Sequence, residues 1–230
     1  MQVDVVRKDI KNLHLGVYPP NGRVRISVPL RINDDAVRTA IVSRMGWIRK
    51  QQRKFAKQNR QSKREMVTGE SHYFQGNRYR IDVIEHNGPP KVSLRNNKKL
   101  EMRVRPGTNK DKRDALIQKW YRSRLRELIP ELVAKWEPLI GVKVAEWRIK
   151  KMKTRWGSCN IDARRIWLNL ELAKKPPSCL ELIVVHEMVH LLERRHNDRF
   201  KSLMDRFLPQ WKLYQDELNQ APLAHSEWIY

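Results

Sequence analysis

The chain has 230 residues, enough for one large domain or two small ones, and 40% of them are hydrophobic, as in an ordinary folded protein. Eight tryptophans argue against a disordered chain, and no stretch approaches 18 uninterrupted apolar residues, so no membrane span is expected. The 48 Lys+Arg against 25 Asp+Glu give a formal charge of +23, a field that concentrates nucleic acids and nucleotides without specifying any chemistry.

Charges interrupt the first twenty residues, so no secretory signal is expected there. Residues 3–31 alternate in the manner of strands (VDVV, LHLGVY, VRISVPL), with Pro19-Pro20-Asn21-Gly22 as a turn signal, and predict a small sheet. Asn33-Asp34-Asp35 then caps a long helix predicted from about Ala36 to Arg64. Ile41, Met45, Ile48 and Phe55 supply its apolar stripe. Its second half, residues 49–64, carries Arg49, Lys50, Arg53, Lys54, Lys57, Arg60, Lys63 and Arg64 with no acidic residue. A charge run is most often a solvated face. With no acidic partner, this one is a candidate nucleic-acid contact.

Strands with internal turns are predicted at 72–85 and 91–105, and Pro106-Gly107-Thr108-Asn109 marks a domain boundary. The expected division is a β-rich N-terminal domain over 1–106 and a catalytic domain over 107–230. A long amphipathic helix runs from Asp111 to about Leu139, with Leu116, Trp120, Leu125, Leu128, Leu132 and Trp136 near helical spacing. Two strands, 143–155 and 164–170, are joined across WGSCNIDA, and Pro176-Pro177-Ser178 starts a further helix. A last helical stretch covers Asp198 to Leu218, interrupted at Pro209. The fold class is therefore α+β. The cysteines, Cys159 and Cys179, have no CxxC spacing, which fits a reduced, cytoplasmic chain and excludes a thiolate metal site.

Residues 186–190 read His-Glu-Met-Val-His. Histidines four apart lie on one helix face and can reach one ion, and Glu187 can approach a water on that ion without becoming a ligand. This is the pattern of a zinc-dependent hydrolase, in which the metal lowers the pKa of a bound water and the carboxylate takes its proton. The third ligand is expected to be His196. On an uninterrupted helix it would point about 240° away from His190. The helix must therefore end near Glu193–Arg195, with Asn197-Asp198 capping a new one. Glu193 shares the face of His186, but three ligands on one straight helix would spread over about 10 Å. Glu217 is a rival from a later helix. The histidines at 14, 72, 86 and 225 are isolated and read as surface or packed residues.

The succession TRWGSC (154–159), WLNLELA (167–173), Pro176-Pro177, VVHEMVHLLERRH (184–196) and NDRF (197–200) resembles the YgjP-like metallopeptidases, a zincin-related group. RVRISVPL (23–30), Trp47-Ile48 before the basic run and GESHYFQGNRYRI (69–81) fit the same family, so the resemblance spans about residues 20–215. It implies a zincin-like C-terminal domain packed against the β-rich region, with zinc on His186, His190 and His196 and Glu187 as general base. The spacing is also that of metzincins, which have a glycine where this chain has Glu193, so the turn must be built differently here.

Within TRWGSC, Arg155 can bind a carboxylate or phosphate oxygen and Ser158 can donate a hydrogen bond, while Trp156 and Cys159 are expected in the core. The family name implies a peptide substrate. Some members are regarded as UTP pyrophosphatases, and the charge of +23 suits a nucleoside triphosphate. A third expectation is a nucleic-acid-associated protease, by analogy with SprT-like enzymes.

Overall fold

The computed structural model describes residues 1–18, 22–57, 64–95, 99–152 and 155–220. Two compact units divide at Gln61/Ser62.

In the first unit, β1 (Val3–Lys8), β2 (His14–Tyr18) and β3 (Arg23–Pro29) form a sheet of order β1-β3-β2, with β1 parallel and β2 antiparallel to β3. Val24, Ile26 and Val28 are buried at alternate positions of β3, as a half-buried strand requires. Ile26 and Val28 close a small core with Val37 of helix α1 (Asp34–Val42). The Asn33 side chain caps α1 by accepting from the Ala36 N–H, and Asp34 and Asp35 oppose the helix dipole.

The single long helix expected from Ala36 to Arg64 is two helices. α1 closes at Ser43, whose hydroxyl bonds back to the Ala40 carbonyl, while Arg44 N–H tightens onto Ile41. Such local bonding by serine competes with helix continuation. α2 (Met45–Lys57) then restarts, with Ile48 buried and Gln52 donating to the Gly22 carbonyl. Arg60 and Lys63 of the expected basic run lie outside the described residues, as does the Pro19–Asn21 part of the turn.

In the second unit, β4 (Ser71–Phe74), β5 (Asn77–Glu85), β6 (Lys91–Arg95) and β7 (Lys99–Val104) form a sheet of order β4-β5-β7-β6, in which only β5 and β7 are parallel. Gln75 and Gly76 join β4 to β5 with positive φ of 47° and 79°, the two-residue turn whose twist matches a hairpin. Helix α3 (Lys110–Ile140) starts at the Asn109 cap and stops at Gly141, left-handed at φ 76°. Its buried stripe runs Ile117, Trp120, Tyr121, Leu125, Ile129, Val133, Trp136 and Ile140. Tyr121 donates to the Tyr73 carbonyl at 2.8 Å and the Trp120 ring packs at a tilt against Phe74, centroids 4.8 Å apart, which ties α3 to β4. The four-stranded sheet therefore shares its core with α3, and the boundary expected at 106/107 falls inside this unit.

A second sheet, order β8-β10-β9, is built from β8 (Glu146–Lys150), β9 (Gly157–Asn160) and β10 (Arg165–Asn169). β9 occupies part of the stretch expected to be a connection. A 3-10 helix, Leu170–Lys174, leads to α4 (Pro177–Val189), which is apolar on all sides and buried among α3, β9, β10, α5 (Asp198–Phe207) and α6 (Trp211–Gln220). No helix among the described residues is long and apolar enough to cross a membrane.

Candidate metal centre

α4 carries its apolar run straight into the site. Pro177 in the first turn fits a position that needs no N–H partner, and the burial of Val184, Val185, Met188 and Val189 fixes the helix rotation. His186 and Glu187 lie in the last turn and His190 at the C-cap.

The helix ends at Val189, earlier than the expected 193–195. Leu191 and Leu192 tighten onto the Met188 and Val189 carbonyls, and Glu193 N–H also bonds to Val189. The His190 ring closes the turn, with Nδ1 3.0 Å from the Glu193 carbonyl. A carbonyl only accepts, so Nδ1 carries the proton and Nε2 is left with its lone pair. Glu193 is not among the residues of positive φ, which is how this turn dispenses with a glycine. Asn197 then caps α5, accepting from Phe200 N–H at 2.9 Å.

The chain reversal carries His196 back onto the helix face. Its Nε2 lies 2.9 Å from His186 Nε2 and 3.1 Å from His190 Nε2, and the three candidate ligand atoms fall within 4.8 Å of one another. Glu193 and Glu217 do not join them. The Glu193 carboxylate accepts from Arg195 N–H, and Glu217 accepts from Ser178 Oγ at 2.6 Å.

Burial, with the neighbouring histidines adding to it, holds the His186 pKa down at about 3, and burial also lowers that of His190 against the bond to Glu193. These imidazoles are neutral near pH 7. Three converging nitrogens cannot all be satisfied by hydrogens shared among themselves. Vertices of a tetrahedral zinc site lie about 3.3 Å apart for bonds of about 2.0–2.1 Å, close to the observed spacing. The donor set therefore fits a zinc ion with one position left open.

Glu187 is 4% exposed. Burial pushes its carboxyl up to about 8, with the Arg155 guanidinium pulling the other way. It borders a cleft of about 980 Å³ that also takes in the three histidines. Arg155 and Ser158, both expected to contact substrate, line this cleft, and Arg194 and Trp211 do so as well. Trp156 and Cys159 are partly buried against the core as expected, and they also line the cleft. Burial raises the Cys159 thiol to about 11, so it is not a thiolate.

Three further residues of the site were not singled out from the sequence, although each lies in a segment that carries the family resemblance: Phe200 in NDRF, Asn169 in WLNLELA and Gly157 in TRWGSC. Phe200 lies beneath all three imidazoles, with ring centroids 4.9, 4.7 and 4.7 Å from His186, His190 and His196. Asn169, 4% exposed, donates to the Arg155 and Met152 carbonyls at 2.7 and 2.9 Å and holds the approach to β9. Gly157 begins β9 and meets Glu187. Of the isolated histidines, His14 is exposed and His72 buried, His86 accepts from Gly88 N–H, and His225 lies outside the described residues.

Residues 11–221 match the family described as YgjP-like, metallopeptidase domain. Among solved structures, the chain is similar to the metallopeptidase zymogen of Pyrococcus abyssi abylysin, with 18% identity over 39% of this chain and 90% of that one and a TM-score of 0.37. It is also similar to the zymogen of Methanocaldococcus jannaschii jannalysin, with 17% identity, 40% and 94% coverage and a TM-score of 0.36. No curated protein matches the chain.

Proposed function

The chain belongs to the YgjP-like metallopeptidase family and is a metallopeptidase-like, zinc-dependent hydrolase, and from that premise we propose that it cleaves peptide bonds with Glu187 handling the proton. The observation that carries this reading is the convergence of three imidazole Nε2 atoms beside a buried carboxylate from the same helix, at the wall of an open cleft.

His186, His190 and His196 would hold the ion, and α4 would serve as a zincin-type active-site helix. Zinc held there would supply Lewis acidity, making a water more acidic and a carbonyl more electrophilic. In its ionised form, which the Arg155 guanidinium and a cation held at the three histidines would both favour against burial, Glu187 takes the proton of the attacking water and returns it to the leaving amine. The apolar packing around α4 keeps the carboxylate from bulk solvent. β9 is an outer strand of its sheet and lines the cleft, so an extended peptide can pair with it through main-chain bonds, with Ser158 as a further donor.

Arg155 and Arg194 on the cleft wall favour a second reading, a nucleoside triphosphate (UTP) pyrophosphatase working through the same metal site. Incubating the zinc-loaded protein with a mixed peptide library and, in parallel, with a panel of nucleoside triphosphates separates the two. Peptide products without pyrophosphate support the peptidase. Pyrophosphate release selective for UTP, with intact peptides, sinks it.

A third reading adds a nucleic-acid partner to the protease. α2 contains five cations and no acidic residue, and Arg49, Lys50 and Arg53 are exposed. Ion pairs among the described residues of this unit engage Arg7 and Arg23, not these three. Ile48 turns the apolar side of α2 inward and Trp47 remains 45% exposed among the cations, a combination suited to phosphates and a stacked base. Failure of the full chain to bind DNA or RNA at low salt removes this reading.

A further inference from the structure

We propose that Gly157 is a positioning residue for Glu187: the missing side chain at the start of β9 leaves the space that the carboxylate occupies, and so sets where that carboxylate sits beside the three-histidine cluster. The inference rests on Glu187 as the proton-handling group.

Backbone conformation does not account for the glycine. Gly157 is absent from the residues of positive φ, so alanine could adopt its backbone without strain. The side-chain space accounts for it. A Cβ built on Gly157 would overlap a Glu187 carboxylate oxygen and come within 2.8 Å of both Cδ and Cγ, where ordinary contact begins at 3.4 Å. All three atoms belong to the outer half of one side chain, and none is backbone.

Neither element can retreat easily. Gly157 is paired with Leu168 of β10, and just before it the Trp156 carbonyl accepts from Asn169 N–H at 2.9 Å while the Arg155 carbonyl accepts from Asn169 Nδ2 at 2.7 Å. On the other side, α4 is locked by Val184, Val185 and Met188, all 0% exposed. An added methyl group therefore moves the carboxylate and leaves the strand and the histidines in place. A displacement of about 1 Å in a catalytic group costs about 10²-fold in rate.

The test uses the full chain with Gly157→Ala, Glu187→Ala and both together. Zinc affinity, kcat and KM for peptide hydrolysis, and the urea midpoint of the metal-free protein are measured for each. Gly157→Ala is expected to keep wild-type zinc affinity and KM, lose about 10²-fold in kcat, and lower the urea midpoint. Introduced into Glu187→Ala, where the opposing side chain is gone, it is expected not to lower the midpoint at all. An equal drop in both backgrounds, or a wild-type kcat for Gly157→Ala, overturns the proposal. The midpoint comparison needs no substrate, so a chain that cleaves no peptide yet shows the coupling refutes the peptidase reading and leaves the Gly157–Glu187 contact standing.

Discussion

Phe200 shows how much of the metal centre depends on a side chain that binds nothing. Its ring packs against all three imidazoles, so each candidate ligand is supported from below as well as by its own backbone. Phe200→Ala should weaken zinc binding by about 10–100-fold, the usual cost of losing an outer-shell support. Competition with a chromophoric chelator measures this, and an unchanged affinity would mean that the histidines are held without the ring. The His-Glu-Met-Val-His spacing made the closeness of His186 and His190 legible, because helix geometry alone puts residues four apart on one face. Phe200 and Gly157 lie in segments that carry the family resemblance, but their roles were not legible, because these arise from contacts with residues distant in the chain, which no local spacing encodes.

His72 makes a separate prediction at the same scale. It is 3% exposed, and burial is the main cause of a pKa near 4, with Arg64 and Lys174 adding to it and Glu70 opposing. The unfolded chain protonates this ring near 6.5, whereas the folded chain keeps it neutral to about pH 4. Stability present above pH 6.5 is therefore lost progressively as pH falls from 6.5 towards 4, with a slope of about one proton. Urea midpoints of wild type and His72→Gln should diverge across that window. Parallel curves would show that His72 does not titrate differently in the two states.

At the scale of elements, the decisive feature is the early end of α4. Six residues between His190 and Asn197 reverse the chain, and they succeed because His190 anchors its own turn through Glu193 while Asn197 starts α5. The need for a break before His196 was legible from helix phase, since a continuous helix points that side chain away. Its position was not, because the turn is made by backbone bonds at Leu191–Glu193 and by the His190 ring, which helix phase does not encode. Asn197→Ala should cost about 0.5–2 kcal/mol in stability, the worth of an N-cap. It should also weaken zinc binding, because the cap sits next to His196. Loss of stability with unchanged zinc affinity would show that His196 is positioned independently of α5. The break at Ser43 between α1 and α2 was hidden for a related reason, since Ile41, Met45 and Ile48 keep helical phase across it. β9 was read as a connection because GSCN is short and carries no alternating apolar pattern.

For the whole molecule, an α+β architecture was legible from strand-like segments followed by long amphipathic ones. The grouping was not, because β4–β7 join α3 through Tyr121 and Trp120, and a Pro-Gly turn at 106–107 says nothing about what packs across it. The charge of +23 acts at this scale too. If α2 binds nucleic acid, replacing Arg49, Lys50 and Arg53 together with serine should flatten the dependence of log K on log salt by about 0.7–0.9 for each phosphate no longer neutralised. A salt dependence identical to wild type would make these cations a solvated face and nothing more.

The sharpest test of this mechanism is kcat for peptide hydrolysis by Glu187→Gln, measured beside its zinc content. The expected protein still binds zinc at the three histidines and has lost about 10²–10⁴-fold in kcat, the contribution of a positioned acid–base group. A variant that keeps its zinc and cleaves peptide at nearly the wild-type rate would rule out Glu187 as the group that handles the proton, and with it the mechanism proposed for this centre.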